Sequence, residues 1–207
     1  MAAVTSPIRI ILADDQALVR GGLAALLAME PDIEVVAEVG RGDELEAAVV
    51  RHLPDVCVVD IEMPGGDGIT ATRRIRQDHP DVRVLIVTTF GRPGYVNRAL
   101  EYGAGGFVVK DTPARELAEA VRKVNAGETV VDAQLARESM AAGPDPLTPR
   151  EKDVLREALT GARIADIAAE LHLTQGTVRN HLSSAIAKTH TSTRGEAARE
   201  AQVRGWL

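Results

Sequence analysis

One cysteine, Cys57, and five aromatic residues are all that the 207 residues hold of either kind. A lone cysteine excludes an intramolecular disulfide framework and fits a reducing compartment. Set in an apolar run, it reads as packing. The aromatics, Phe90, Tyr95, Tyr102, Phe107 and Trp206, supply little wall for a small-molecule pocket. Long apolar runs are missing as well. The opening MAAVTSPIRIILADD reaches an acid pair after a short apolar stretch, and is expected to be neither a signal peptide nor a membrane span. A cytoplasmic protein with no membrane partner is the expectation. Cationic excess is also absent: 24 Lys and Arg face 30 Asp and Glu, for a net charge of -6. That deficit is uneven. Residues 1–146 carry 15 basic and 23 acidic side chains, whereas residues 147–207 carry 9 and 7. The asymmetry leaves only the tail fit to meet a polyanion, although chance surface charge also produces such a difference.

What the chain does have is alternation. Runs at 8–13, 33–39, 55–59, 82–88 and 106–109 read as strands, and four of them are dominated by β-branched or aliphatic residues with little alternation, the pattern of strands covered on both faces. The more mixed run at 33–39 suits a sheet edge. Helical periodicity fills 16–29, 43–53, 67–78, 93–103 and 113–126. Strict alternation with short connections implies a five-stranded parallel sheet, doubly wound, with right-handed crossovers. Residues 127–146 lose the rhythm: a short helical piece, DAQLARESM, leads into AAGPDP, which has the composition of a linker. From Leu147 the pattern is wholly helical, over about 149–160, 164–171, 175–188 and 194–204. Thr148, Pro149 and Glu151 form a capping-box signature, and Thr174 caps the third helix.

Ligand sites in open parallel sheets lie beyond the carboxyl ends of the strands. Asp14 and Asp15 end the first strand, Asp60 the third, Thr88 the fourth and Lys110 the fifth. Three carboxylates on one edge repel one another unless a cation intervenes. An all-oxygen set with room for water suits Mg2+. A carboxylate beside Mg2+ can accept a phosphoryl group, with a lysine stabilising the transferring oxygens. The loop PGGDG at 64–68 leaves access above Asp60.

These residues carry a resemblance. Asp14–Asp15, the D-x-x-M-P-x-x-x-G run from Asp60 to Gly68, VTT at 87–89 and GGFVVKD at 105–111 are similar to the motifs of response-regulator receiver domains, of CheY/flavodoxin-like fold. The resemblance implies that a sensor histidine kinase phosphorylates Asp60. It also implies that Asp15 and Asp60 ligate Mg2+ through carboxylates and Glu62 through its backbone carbonyl, with Asp14 close by. Thr88 matches the switch hydroxyl and Lys110 the phosphate-contacting lysine. Phe107 matches the switch aromatic or simply fills the core. The implied domains are a receiver over 1–126, a linker over 127–146 and a helix-turn-helix domain over 147–207.

The tail, with LTPREKDVL at 147–155 and IADIAAELHLTQGTVRNHLSSAIAK at 164–188, resembles the helix-turn-helix domain of NarL/FixJ (LuxR-type) regulators. By that likeness helix 175–188 enters the major groove of promoter DNA. Thr177, Arg179, Asn180 and Lys188 are the expected contacts, Lys188 to phosphate and Arg179 to phosphate or base. His181 either contacts DNA or covers the surface. Thr189 departs from the family pattern, where an apolar anchor usually follows the lysine. DIEMPG, TTFxRPGY (Gly91 as x) and the terminal RGWL are most similar to DesR-type regulators, a subgroup that governs membrane-lipid desaturation. The resemblance implies a transcription factor, not an enzyme, that forms a homodimer on phosphorylation. Either 16–29 with 113–126 or 93–103 with 106–109 would form the pairing face. Two alternatives fit less well. Haloacid-dehalogenase-type phosphatases place their two aspartates two apart after the first strand, and a ligand-sensing LuxR-type regulator calls for aromatic pocket walls.

Overall fold

The computed structural model describes residues 6–89, 91–142 and 144–207, so Phe90 of the TTF run and Gly143 of the linker stretch lie outside the described residues. The chain divides into an α/β unit, which runs to Gly91 and again over Val96–Arg137, and a helical unit made of Glu138–Leu207 together with Arg92–Tyr95.

In the first unit the aliphatic runs become β1 (Ile8–Ala13), β2 (Ile33–Val39), β3 (Val56–Val59), β4 (Arg83–Thr88) and β5 (Gly106–Val109). Between and after them come α1 (Ala17–Leu27), α2 (Gly42–His52), α3 (Gly68–Asp78), α4 (Pro93–Glu101) and α5 (Ala114–Asn125). Side chains alternate across the sheet. Ile10, Leu12, Val58 and Val87 form one cluster with Leu27 of α1 and Leu117 and Val121 of α5. Their neighbours Ile11, Cys57, Val59, Ile86 and Phe107 are just as buried, on the face left to α2 and α3, which pair with each other as α1 and α5 do. Burying an aliphatic side chain is worth about 2 kcal/mol, so apolar residues gain at every strand position here rather than at every second one. Cys57 is fully buried, and burial pushes its thiol up to about 12. It packs and does not react.

The sheet is parallel throughout, in the order β2-β1-β3-β4-β5-β6. The mixed strand β2 does lie at an edge, with only Ile33 buried. The expected count of five strands is corrected to six. β6 (Val130–Val131) pairs with β5 through Gly106↔Val130 and Phe107↔Val131. Two residues are too few to show a period, so the strand is set by the open edge of β5 rather than by any pattern of its own. Within the stretch read as a linker, the expected helical piece is α6 (Ala133–Ala142). Its start is held by Asp132, whose carboxylate accepts from the amides of Gln134 and Leu135 at 2.8 and 3.0 Å.

The second unit holds α7 (Pro149–Leu159), α8 (Ile164–Glu170), α9 (Gln175–Lys188) and α10 (Arg194–Val203). Thr148 and Glu151 make the expected capping box, and the Thr174 hydroxyl accepts from the amide of Thr177. Leu155, Ile167, Val178, Leu182 and Ala198 form the core with Trp206, which is 5% exposed. Ile186 packs against that core from its margin. Among the described residues no helix is long and apolar enough to cross a membrane.

Candidate functional site

The carboxyl edge of the sheet is built by backbone bonds that continue the strand ladders. Asp14 donates its amide to the Val39 carbonyl at 3.1 Å, Asp60 to Ala13 at 2.8 Å, and Lys110 to Thr88 at 2.8 Å. Residues far apart in sequence are thereby fixed on one rim. Asp14 and Asp60 are buried there, Asp15 is exposed, and one carboxylate oxygen from each lies within 4.8 Å of the others. Lys110 reaches across, with its Nζ 2.7 Å from Asp14 Oδ2 and 2.8 Å from Asp60 Oδ2. The other Asp60 oxygen accepts from the amide of Ile61 at 2.8 Å.

Charge balance in this cluster is uneven. Burial drives the pKa of Asp60 up, and the neighbouring Asp14 adds to the rise, while Lys110 opposes it without cancelling it. Burial pulls Lys110 the other way, yet its bonds to Asp14 and Asp60 outweigh that and raise its pKa. One lysine faces three carboxylates. The donor set is all oxygen, as a hard divalent cation requires, and Asp15 remains open to solvent. These residues fit Mg2+.

The loop above Asp60 is closed rather than loose: the amide of Gly68 donates to the Ile61 carbonyl at 2.9 Å. A Cβ on Gly68 would stand 2.0 Å from the carbonyl oxygen of Asp60. Gly68→Ala is therefore expected to cost about 2 kcal/mol of receiver stability and to slow phosphorylation of Asp60, checked by thermal melting beside a labelling time course. Gly66 sits at φ +142, where a side chain is strained. Glu62 is exposed within the same loop. Thr88 is buried at the end of β4, and Phe107 is fully buried in register with Ile86.

In the helical unit, α9 presents Gln175, Gly176, Arg179, Asn180, Ser183 and Ala187 to solvent, a single stripe at helical spacing. Of the expected DNA contacts, Arg179 and Asn180 lie on it, and the half-buried Thr177 flanks it with its hydroxyl 2.9 Å from that of Thr174. His181 is half-buried. Ser183 was passed over by sequence reasoning, although its place four residues after Arg179 is the signal that would find it. Lys188 lies elsewhere. Its Nζ is 2.8 and 3.0 Å from the two carboxylate oxygens of Glu151, which also accept from the Ser184 hydroxyl at 2.6 Å and the Thr148 amide at 2.7 Å. Burial resists the charge on Glu151, but Lys188, Ser184 and Thr148 together hold its pKa at about 2. The departure at Thr189 is absorbed locally: its hydroxyl, buried, donates to the Ala185 carbonyl at 2.8 Å and lies 2.9 Å from that of Thr191. α9 accordingly runs to Lys188, the length expected of it.

Comparison with known proteins gives both units a family. Residues 10–122 match the response regulator receiver domain, and residues 145–201 match the bacterial regulatory proteins of the luxR family. The transcriptional regulatory protein DesR of Bacillus subtilis (strain 168) is 39% identical over 200 residues, which span 97% of this chain and 99% of DesR. The response regulator RamR of Streptomyces coelicolor is 39% identical over 201 residues, spanning 96% and 98%. Among solved structures, the response regulator ChrA of a heme-sensing two-component system superposes with a TM-score of 0.58 at 32% identity, covering 98% of this chain and all of ChrA. The receiver match sets the front unit apart from both a phosphatase and a ligand-sensing domain. Together with the acidic rim and the exposed stripe of α9, these likenesses place the chain among the LuxR-family response regulators, transcriptional regulators that join a receiver to a helix-turn-helix DNA-binding domain.

Proposed function

We propose that this regulator is the output half of a two-component pair, phosphorylated on Asp60 by a sensor histidine kinase and then bound to promoter DNA as a homodimer in the cytoplasm. The observation that carries the reading is Lys110 bridging Asp60 to Asp14, with three carboxylates sharing the rim. An Asp60 oxygen attacks phosphorus, a P–O bond forms, and the P–N bond of the kinase phosphohistidine breaks, returning its electron pair to the imidazole. Asp15, Asp60 and the Glu62 carbonyl would hold Mg2+, with Asp14 beside them, and bound Mg2+ supplies positive charge against the phosphoryl oxygens. Lys110, already on Asp60, neutralises part of the new anion. The Thr88 hydroxyl then turns toward that anion, and Phe107 moves into the vacated space.

A tail with 9 basic against 7 acidic side chains makes few phosphate contacts, so one copy gains little from counterion release. Two copies on paired half-sites multiply what one lacks. In each copy Arg179 and Asn180, flanked by Thr177, would face the groove, Asn180 suited to adenine and Arg179 to guanine or phosphate. Lys188 would reach phosphate only by giving up Glu151. Coupling between phosphorylation and pairing is expected at about 1–3 kcal/mol. The test is acetyl phosphate with Mg2+: intact mass should show one added phosphoryl group, sedimentation a shift from monomer to dimer, and a gel shift tighter binding to a candidate promoter. A chain that gains DNA affinity while staying monomeric rules out dimerisation as the link.

A further inference from the structure

Asp15 is the exposed member of the acidic trio, and no hydrogen bond or ion pair to a described residue holds its carboxylate. Its direction is therefore inherited from its backbone. The peptide that leads into it carries the Asp14 carbonyl, and that carbonyl accepts from Nη1 of Arg20. Arg20 belongs to α1, and its guanidinium turns back onto the end of β1. Nε lies 3.6 Å from Oε2 of Glu38 on the edge strand, and the side chain is 21% exposed. Gly40 packs against it: a Cβ there would come within 3.3 Å of Nη1 and 4.0 Å of the Asp14 carbonyl oxygen. Arg20 also lines a small cavity whose other walls include Asp14 and Asp60.

We propose that Arg20 is a positioning residue for the metal site, fixing the Asp14–Asp15 peptide so that the Asp15 carboxylate is aimed at the ion. The inference rests on the phosphoacceptor reading. Two further bonds hold the same segment, the Asp14 amide to the Val39 carbonyl and the Gln16 amide to Asp14 Oδ1 at 2.9 Å. Both act on the amide or side chain of Asp14. Among the described residues only Arg20 donates to the carbonyl that sets the plane of the next peptide.

The sign of the effect separates positioning from plain charge. A guanidinium near three carboxylates repels a divalent cation, so removing it as a mere charge would tighten Mg2+ binding. Removing it as a positioning group loosens Asp15 and weakens binding. Losing a supporting group behind metal ligands costs about tenfold or more in affinity.

The experiment is calorimetric titration of the full chain with Mg2+ alone, with thermal melting in parallel. Arg20→Met is expected to raise the Mg2+ Kd about tenfold while melting cooperatively. Unchanged or tighter binding overturns the proposal. Should Arg20→Met fail to fold, Arg20→Lys carries the test: it keeps the charge and loses the planar fork, so weaker binding supports positioning and wild-type affinity overturns it. A wild-type chain that binds no Mg2+ overturns this inference and the phosphoacceptor reading together. A wild type that binds, beside an Arg20 variant that binds as well, overturns this inference alone.

Discussion

Replacing Asp60 with asparagine is expected to abolish labelling by acetyl phosphate in Mg2+ while leaving the receiver folded. The amide preserves the shape of the side chain and an oxygen to accept from the Ile61 amide, which donates to Asp60 at 2.8 Å. What it removes is the nucleophile and its charge. Stability at neutral pH should be no lower than in the wild type. Burial raises the pKa of Asp60 above its ordinary value. A carboxyl whose pKa rises on folding costs stability once it ionises, and that cost is relieved as the pH falls toward the raised value. The variant carries no such cost. Asp15→Ala should also lose labelling, through lost metal binding rather than a lost acceptor, so the two variants part in a Mg2+ titration. Full labelling of Asp60→Asn, mapped to another side chain, would sink the assignment. Labelling of Asp15→Ala at the wild-type rate would show the metal geometry to be wrong.

The second large effect belongs to Glu151. Its carboxylate is 4% exposed and collects bonds from Thr148, Ser184 and Lys188, tying the start of α7 to the end of α9. Glu151→Gln should destabilise the helical unit by about 3 kcal/mol, because the Lys188 ammonium is left half-buried beside a neutral group. The pH dependence gives an independent check. The folded pKa of about 2 stands below the ordinary 4.5, a gap worth roughly 3 kcal/mol by linkage. Since the folded value is the lower one, this contribution is complete above pH 4.5 and is lost as the pH falls toward 2. Trp206 is the single tryptophan of the chain and sits in the core of this unit, so its fluorescence follows the transition without interference from the receiver. Wild-type stability should fall across that window, and Glu151→Gln should lose this slope. Equal slopes in the two proteins would show that Glu151 does not hold the unit together.

Among the described residues, four of the six strands and the acidic rim were legible in the sequence for the same reason, while β2 showed itself by a more mixed run suited to an edge. A buried parallel strand demands apolar residues at every position, so a carboxylate or lysine at its end stands out sharply, and fold topology alone brings those ends together. β6 was not legible because two residues carry no period. The reach of Lys188 was hidden for a different reason. Helical spacing shows which residues share a face of α9, but not that α7 lies beside its last turn, and only that neighbour turns an exposed cation into the partner of Glu151. Glu151 itself was visible as half of a capping box, a local motif. Its bonds to Ser184 and Lys188 span 33 and 37 residues and depend on how the helices cross. Arg20 is similar: nothing in DDQALVR says that its guanidinium folds back onto the Asp14 carbonyl.

Cys57 brings a practical freedom. Its thiol is sealed inside the central strands and held at about 12, so alkylating reagents meet almost no thiolate in the folded chain. A cysteine engineered onto the surface of either unit would thus be the sole labelling position, with the native residue left in place. Fluorophore pairs or spin labels could report pairing of two copies on a background that needs no cysteine removal. When the sheet opens, Cys57 becomes reactive, and the rate at which it is trapped counts receiver opening events. Trp206 and Cys57 together make each unit separately observable, one by light and the other by alkylation.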